Sequence, residues 1–268
     1  MLPRVDLIRA EENSWLLLNN QDLISDFIRK NGFWGNTEST IGKVFLANRQ
    51  NTNTLDVGAN IGGFTLPISK FVSSSNGKVF SFEPQRVVFQ QLCANIFLNS
   101  LDNVYAYNLA LGDKICDINI PELNFWESKN VGGFSIDAGI RKKIENEAYT
   151  YPNKESKNEY YVEQKTLDSF NFEFEINLIK VDVEGFELEF FLGGLETIQK
   201  NVFPPIIFEL WTEQSWYKNK AHQTKKILLD LGYSFFDFGQ EILAQHANHP
   251  TQCLIEKNNN NINLTIAK

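Results

Sequence analysis

Apolar positions along this chain recur with two different periods, and the changes between them mark out its parts. Between residues 14 and 31, Leu16, Leu17, Leu23, Ile24, Phe27 and Ile28 sit at helical spacing, which predicts one or two helices ahead of the core. From about 53 to 115 short apolar runs alternate with helical stretches, the pattern of consecutive βα units in a parallel sheet. Thr54 to Val57 is the first expected strand, and a helix begins near Phe64 and Thr65. Pro67 is tolerated in its first turn, where the missing N–H has no partner to lose. Ser73 to Gly77 reads as a loop, Lys78 to Phe82 as the second strand, 85–98 as a helix with Val88, Leu92 and Ile96 on one stripe, and Val104 to Leu109 as the third strand.

Residues 116–165 lose this regularity and carry Gly132-Gly133 and Tyr151-Pro152 as breakers. They read as a substrate-side insertion, since long irregular segments inside a compact domain tend to be functional. The pattern returns with Leu178 to Asp182 as the fourth strand, a helix over 186–200, and Pro205 to Glu209 as the fifth strand. A helix over 219–231 ends at Gly232, the usual residue after a helix C-terminus. Tyr233 to Phe238 and a last strand within 251–266 predict a terminal antiparallel pair, with Asn258 to Asn261 a polar turn. The expected organisation is an N-terminal helical segment, 1–50, packing on a core domain, 51–268.

Composition narrows the class. The 268 residues are 43% hydrophobic and include 22 phenylalanines, with a formal net charge of −8. Such a chain buries enough surface to need neither disulfides nor metal for its core. The acidic balance argues against nucleic acid and anionic membranes as partners, and Arg141-Lys142-Lys143 is the longest basic run. Cys93, Cys116 and Cys253 are distant from one another and show no metal or redox spacing. There is no apolar run long enough to span a membrane and no signal-peptide pattern, so the expectation is a soluble, cytoplasmic protein.

The chemistry begins at Asp56-Val57-Gly58-Ala59-Asn60-Ile61-Gly62-Gly63, a strand ending in an acid, then a glycine turn and a helix. Gly58 and Gly62 permit positive φ and close backbone approach, as in nucleotide-binding openings. Dinucleotide enzymes space these glycines G-x-G-x-x-G to meet a pyrophosphate. Here Asn60 stands at the second glycine, which suits a ligand bearing an amino-acid carboxylate and ammonium instead. Glu83, followed by Pro84 at the end of the second strand, lies 21 residues beyond Gly62. An acid there can accept both ribose hydroxyls of an adenosine. Ala110 could edge the adenine, and Asp113 could accept its exocyclic amine or simply close a Gly-Asp turn.

The run from Leu55 to Asp113 resembles the FkbM-type methyltransferase family. The resemblance lies in Asp56 to Gly62, Phe82-Glu83-Pro84, Asn95 to Asn99 with Asn103-Val104, and Ala110-Leu111-Gly112-Asp113. It continues at Thr166-Leu167-Asp168 and Ile179-Lys180-Val181-Asp182-Val183-Glu184-Gly185-Phe186-Glu187. The resemblance implies an α/β, three-layer Rossmann-like class I methyltransferase fold. Its seven mostly parallel strands run in the order 3-2-1-4-5-7-6, the seventh antiparallel, with helices on both faces, so that 51–268 is a methyltransferase domain. It also implies S-adenosylmethionine as cofactor and O-methylation of a sugar or small-molecule hydroxyl. The expected cofactor-binding set is Asp56, Gly58, Ala59, Asn60, Gly62, Phe64, Thr65, Glu83, Pro84, Ala110, Asp113 and Asp182.

A hydroxyl acceptor gains typically 10²–10⁴-fold from a positioned base. In the inferred sheet Asp182 and Glu184 leave strand four and Glu209 leaves strand five, on the face where open α/β sheets bind ligands. Asp182 is expected beside the methionine portion or the acceptor, with Glu184 and Glu209 as base or acceptor ligands. These carboxylates could instead hold Mg²⁺ or Ca²⁺, although no metal is expected. Otherwise Glu184 caps the next helix and Glu209 is solvated. His222 is a weaker candidate base. Phe33-Trp34-Gly35, Trp126, Phe134, Trp211 and Trp216-Tyr217 either wall an acceptor or pack in the core. Two other readings stand beside this one, an NAD-dependent dehydrogenase and a catalytically silent adenosine-binding scaffold. The partner is a small molecule or glycan, and the oligomeric state is open.

Overall fold

The computed structural model of the protein describes residues 5–19, 22–145, 153, 155–258 and 261–266. It opens with an antiparallel hairpin, β1 (Val5–Arg9) and β2 (Ser14–Leu18), followed by α1 (Leu23–Asn31) and α2 (Asn36–Leu46). The first core units are β3 (Asn53–Val57), α3 (Thr65–Ser73), β4 (Lys78–Phe82), α4 (Arg86–Leu98) and β5 (Val104–Tyr107). Then come β6 (Ala110–Leu111), β7 (Cys116–Leu123), α5 (Ala138–Glu145) and β8 (Glu155–Lys165). The core resumes with β9 (Leu178–Val181), α6 (Glu187–Leu192), α7 (Leu195–Lys200), β10 (Ile206–Glu209), α8 (Lys218–Asp230), β11 (Tyr233–Asp237) and β12 (Glu241–His246). A second hairpin, β13 (Cys253–Asn258) with β14 (Asn261–Ile266), ends it.

The main sheet has seven strands in the order β5-β4-β3-β9-β10-β12-β11. The five strands from β5 to β10 run parallel, and β12 lies antiparallel to both β10 and β11. Counted as core strands this is 3-2-1-4-5-7-6 with the seventh reversed, as the resemblance implies. Helices cover both faces, so the central strands are apolar almost throughout. In β9 and β10, Leu178 and Ile207 face Ile41, Phe45 and Ile68 of α2 and α3, while Ile179 and Phe208 face Phe190, Phe191 and Leu228 of α6 and α8. Over β4 and β5 an aromatic strap does the covering. Phe174 stacks on Phe80 at 4.6 Å, Phe170 meets Phe82 edge-on at 5.6 Å, and Phe172 lies between them.

Four expectations need correction. Residues 5–18 are a hairpin, not helix. Leu16 and Leu17 belong to a five-residue strand that buries Trp15 and Leu17, and an apolar run that short fits either period. The seventh strand is Glu241–His246, formed ahead of the segment 251–266, whose two strands pair only with each other in a separate two-stranded sheet. The helix expected over 186–200 is two helices. It breaks at Gly193, where a Cβ would stand 1.9 Å from the Gly112 carbonyl oxygen. The segment 116–165 is not irregular throughout, because β7 and β8 form a long antiparallel ribbon against β6. In the expected polar turn, Asn258 pairs with Asn261, and residues 259–260 lie outside the described residues, as do Tyr151 and Pro152. All three cysteines are free thiols.

The N-terminal hairpin is latched to the core by three side chains of α4 and its cap. Asn95, fully buried, accepts from Leu16 N at 2.7 Å and donates to the Ile61 carbonyl at 2.9 Å, so one amide ties the hairpin to the glycine turn. Gln91 donates to the Leu16 carbonyl, and Asn99 exchanges two bonds with the Ser14 backbone. Asn95→Ala strands a donor and an acceptor in the interior, which costs about 2 kcal/mol. Urea unfolding should show the midpoint falling with the slope unchanged.

Candidate functional site

Many of the expected site residues gather at the carboxyl ends of β3, β4, β9 and β10, the edge where such sheets bind ligands. At the centre lies Lys180, 5% exposed, in the middle of β9. Its ammonium donates to the Gly58 carbonyl at 2.8 Å and stands 3.3 Å from Asp56 Oδ1 and 3.6 Å from Asp182 Oδ2. Burial alone would lower its proton affinity. The charges of Asp56, then Asp182 and Glu38, outweigh this and raise it above the ordinary lysine value. Asp56 spends its other oxygen on the Thr65 hydroxyl at 2.5 Å, which in turn meets Ser81 Oγ at 2.7 Å. Gly58 takes φ of +76°, and a Cβ there would sit 1.7 Å from the Asp182 carbonyl oxygen, so no other residue fits.

The glycine turn satisfies its own amides. Gly58 and Ala59 donate to the Phe82 carbonyl, Asn60 donates to Glu83 Oε2, Ile61 to the Asn60 side chain, and Gly62 to the Ala59 carbonyl. Five successive donors are committed within the fold. A pyrophosphate, which binds through free amides of this turn, would find none in this stretch. Glu83 is 5% exposed and accepts from Asn60 N at 2.9 Å and Gln85 N at 2.8 Å. Burial pushes its carboxyl up to about 7, with the two amide bonds working in the other direction.

A cavity of about 590 Å³ opens over these strand ends. Gly58, Asn60, Glu83, Pro84, Ala110 and Asp182 of the expected cofactor set line it, as do Glu184 and Glu209 of the expected catalytic set. Asp182, Glu184 and Glu209 each bring a carboxylate oxygen within 4.8 Å of the others, an all-oxygen donor set of the kind that suits Mg²⁺ or Ca²⁺. Glu184 holds φ of +53° in the turn after β9. Burial first, and then neighbouring carboxylates led by Asp182, raise both Glu184 and Glu209 well above the ordinary value. Glu184 does not cap α6, whose start has no side-chain cap among the described residues; Glu187 there accepts from Gly185 N at 3.0 Å and from the Tyr217 hydroxyl at 2.5 Å.

Several expected residues stand elsewhere. Asp113 is exposed, outside the cavity, at 3.4 Å from Gln164 Nε2. The backbone turns away after β6 to meet β8, which carries that side chain off the cavity. His222 is exposed on α8, because the buried stripe of that helix is Ala221, Thr224 and Leu228. Phe64 packs with Ile41 and Phe45 in the core, while Asp56 and Thr65 lie beneath the turn, fully buried. Ala59 and Gly62 shape the turn without lining the cavity. Phe33, Trp34, Gly35 and Phe134 do line it, whereas Trp211, Trp216 and Tyr217 pack together beside Gly185 and Trp126 is exposed. Thr166-Leu167-Asp168 is structural, with Asp168 accepting from the amides of Glu196 and Thr197 at the start of α7. Lys180, Glu38 and Glu241 received no role from sequence. Only Lys180 carried a signal, a cation inside an otherwise apolar strand.

Comparison with known proteins now decides the lineage. The Methyltransferase FkbM domain matches residues 56–235, about two thirds of the chain. The chain belongs to the FkbM methyltransferase family. This FkbM-family chain is 27% identical over 160 residues to "Methyltransferase 1" of Beauveria bassiana, covering 58% of the chain and 63% of that protein. It is 37% identical over 70 residues to the tRNA(Phe) (4-demethylwyosine(37)-C(7)) aminocarboxypropyltransferase of Methanocaldococcus jannaschii, covering 26% and 27%. Among solved structures it is similar to methyltransferase FkbM from Methylobacillus flagellatus KT, at 15% identity and a TM-score of 0.48, covering 74% of this chain and 44% of that one. The chain therefore spans less than two thirds of the length of each of these relatives. Among the described residues of this FkbM-family chain no helix is long and apolar enough to cross a membrane.

Glu83 carries a pH signature. Its folded-state value near 7 stands above the unfolded carboxyl value of 4.5. Its contribution to stability is full below pH 4.5 and is lost as pH rises through 7. Between pH 5 and pH 8 the wild-type protein should lose about 3 kcal/mol more stability than Glu83→Gln, read as the difference between their denaturant unfolding curves.

Proposed function

We propose that this chain is an S-adenosylmethionine-dependent O-methyltransferase acting on a hydroxyl of a sugar or small metabolite. The observation that carries the reading is one cavity lined both by the glycine turn with Glu83 and by a cluster of carboxylates with raised proton affinity. The fit of the cofactor rests on the residues present. Pro84, Leu109, Ala110, Leu111 and Ile136 form an apolar slot for a flat base. Glu83 sits beside that slot with a carboxylate to receive ribose hydroxyls. Gly58 and Asp182 close the far side, where an amino-acid end belongs. When bound, the cofactor supplies a methyl group on a sulfonium whose sulfur is left as a neutral thioether.

The remaining work falls to the chain. Methyl transfer is an in-line displacement, so holding the acceptor oxygen at near-attack distance is the main contribution. Glu184 and Glu209 converge from neighbouring strands and can orient a hydroxyl between them. One carboxylate oxygen receives the hydroxyl proton as the oxygen gains the methyl group. Their raised proton affinity makes each a stronger base once ionised than a solvated glutamate. Trp34 and Phe134 help to keep water from the cavity. The committed amides of the glycine turn speak against a dinucleotide enzyme. The archaeal relative's name, an aminocarboxypropyltransferase, defines a competing outcome in which the same sulfonium would leave 5′-methylthioadenosine.

Thermal unfolding with S-adenosylmethionine, S-adenosylhomocysteine or NAD tests the cofactor. A ligand at 100 times its dissociation constant adds about 2.7 kcal/mol of stability, expected with the first two and absent with NAD. Glu83→Ala should abolish the shift, and a shift with NAD alone would sink the proposal. Screening hydroxylated acceptors should release S-adenosylhomocysteine rather than 5′-methylthioadenosine. On the acceptor found, Glu209→Ala should retain the cofactor shift and lose at least 10²-fold in turnover. Normal turnover in that variant would remove Glu209 from the mechanism.

A further inference from the structure

The acceptor half of the cavity has an unusual electrostatic composition. Five carboxylates line it, from Glu38, Asp182, Glu184, Glu209 and Glu241, and among the described residues no lysine, arginine or histidine does. They arrive from separate elements. Glu38 lies in the first turn of α2, Asp182 and Glu184 follow β9, Glu209 ends β10, and Glu241 begins β12. Glu209 and Glu241 are register partners across the antiparallel β10–β12 pair, a placement in which like charges destabilise a sheet. Burial raises the proton affinity of both Glu38 and Glu241, and the Glu38 charge raises Glu241 further. Lys180 forms ion pairs with Asp56 and Asp182 from below, and its charge acts on Glu38 and Glu241 only at longer range.

A second feature lies on the same wall. Phe27, Phe33 and Trp34 line the cavity and meet edge to face, Phe27 to Trp34 at 5.3 Å and Phe27 to Phe33 at 5.9 Å. Phe27 and Phe33 are 40% and 42% exposed, although they are large apolar rings. Aromatic faces attract organic cations and stack on the C–H faces of sugars, and carboxylates accept from ammonium and hydroxyl groups. An anionic acceptor such as a sugar phosphate, a nucleotide sugar or a carboxylate metabolite would meet five acids against the single buried charge of Lys180.

Resting on the methyltransferase reading, we infer that the acceptor carries a protonated amine beside the hydroxyl that is methylated, as an amino sugar does, and that Glu38 and Glu241 select it. The ammonium lies against these two carboxylates and brings positive charge to this wall of the cavity. The aromatic wall holds the carbon skeleton, and the neighbouring hydroxyl lies toward Glu184 and Glu209.

The test is calorimetric titration of the full chain, saturated with S-adenosylhomocysteine, with glucosamine, N-acetylglucosamine and glucosamine 6-phosphate. The expected result is binding of glucosamine at least tenfold tighter than either of the others. Glu38→Gln with Glu241→Gln should bring that ratio close to one. S-Adenosylhomocysteine binding, measured first, reports separately on the fold and the cofactor half, so its failure would strike the methyltransferase reading and not this one. Equal affinity for the amine and its N-acetyl form, or a preference for the phosphate, would overturn the inference. So would displacement of glucosamine by Mg²⁺ or Ca²⁺ at stoichiometric concentration, which would make the wall a metal site.

Discussion

A single buried ammonium group organises the ligand-binding edge of this protein. Lys180 holds the carbonyl of Gly58 and stands against Asp56 and Asp182, joining the first and fourth core strands at the point where their chains diverge. Removing a charge from water costs several kcal/mol, which an ion pair recovers only when the geometry is good and the remaining polar atoms are satisfied. Here the satisfaction is partial, since among the described residues Asp56 Oδ1 and Asp182 Oδ1 accept no hydrogen bond, but the surrounding atoms are tied in. Asp56 binds Thr65, Thr65 meets Ser81 of the second core strand, and Asp182 N returns to the Val57 carbonyl. The network therefore fixes the glycine turn before any ligand arrives. The close approach at Gly58 follows from it, since the loop carbonyl must reach Lys180 while the loop backbone passes the carbonyl of Asp182. A buried pair of this kind adds little net stability. What it supplies is position.

Above that balanced layer the charges are unbalanced. Asp182, Glu184, Glu209, Glu241 and Glu38 crowd the cavity, and all the raised carboxyls among them owe the shift first to burial and then to one another. Each would be more comfortable in water. The sheet carries this strain because β9 and β10 are packed on both faces and buried along their length, so the cost is met by a core that the cavity does not disturb. Local conflict confined to one edge of a consistent fold marks a functional site. The left-handed backbone at Glu184 is part of the same pattern, since a β,γ-extended side chain in that conformation is held there by its surroundings.

Much of the sheet was legible in the sequence because its information is local. Each central strand is a short apolar run closed by an acid or a glycine, and the intervening helices have clear stripes, so the strand order followed once the resemblance was recognised. The cavity acids Glu83, Asp182, Glu184 and Glu209 were legible for the same reason, each standing at or just beyond the end of an apolar strand. The failures are equally physical. Asp113 follows a strand as short as two residues, and its direction depends on β8, more than forty positions away. Glu38 and Glu241 reach the cavity only through the packing of α2 and the pairing of β12, which no local pattern announces. The hairpin at 5–18 was read as helix because its apolar residues are few enough to satisfy both periods. Its strand form depends on amide bonds from Asn95 and Asn99, eighty residues downstream.

The remote parts of the chain also shape the cavity over the strand ends. Gly132 lies so close over the glycine turn that a Cβ would stand 2.2 Å from Asn60 Nδ2. The segment around it is held by Gln85, whose side chain donates to the Val131 carbonyl, and by Asp22, which accepts from Val131 N while capping α1 through Ser25 N. The same α1 and its following turn carry Phe27, Phe33 and Trp34 to the cavity wall. The insertion and the N-terminal segment thus close the cavity jointly, each fixing the other's edge, and they do so through residues outside the strand-end motifs. Glu83, bonded to both Asn60 N and Gln85 N, is the point where the two systems meet. A ligand that engages Glu83 acts on the glycine turn and on the residue anchoring the closing segment at once. The glycine turn and the closing segment are therefore tied together through one carboxylate.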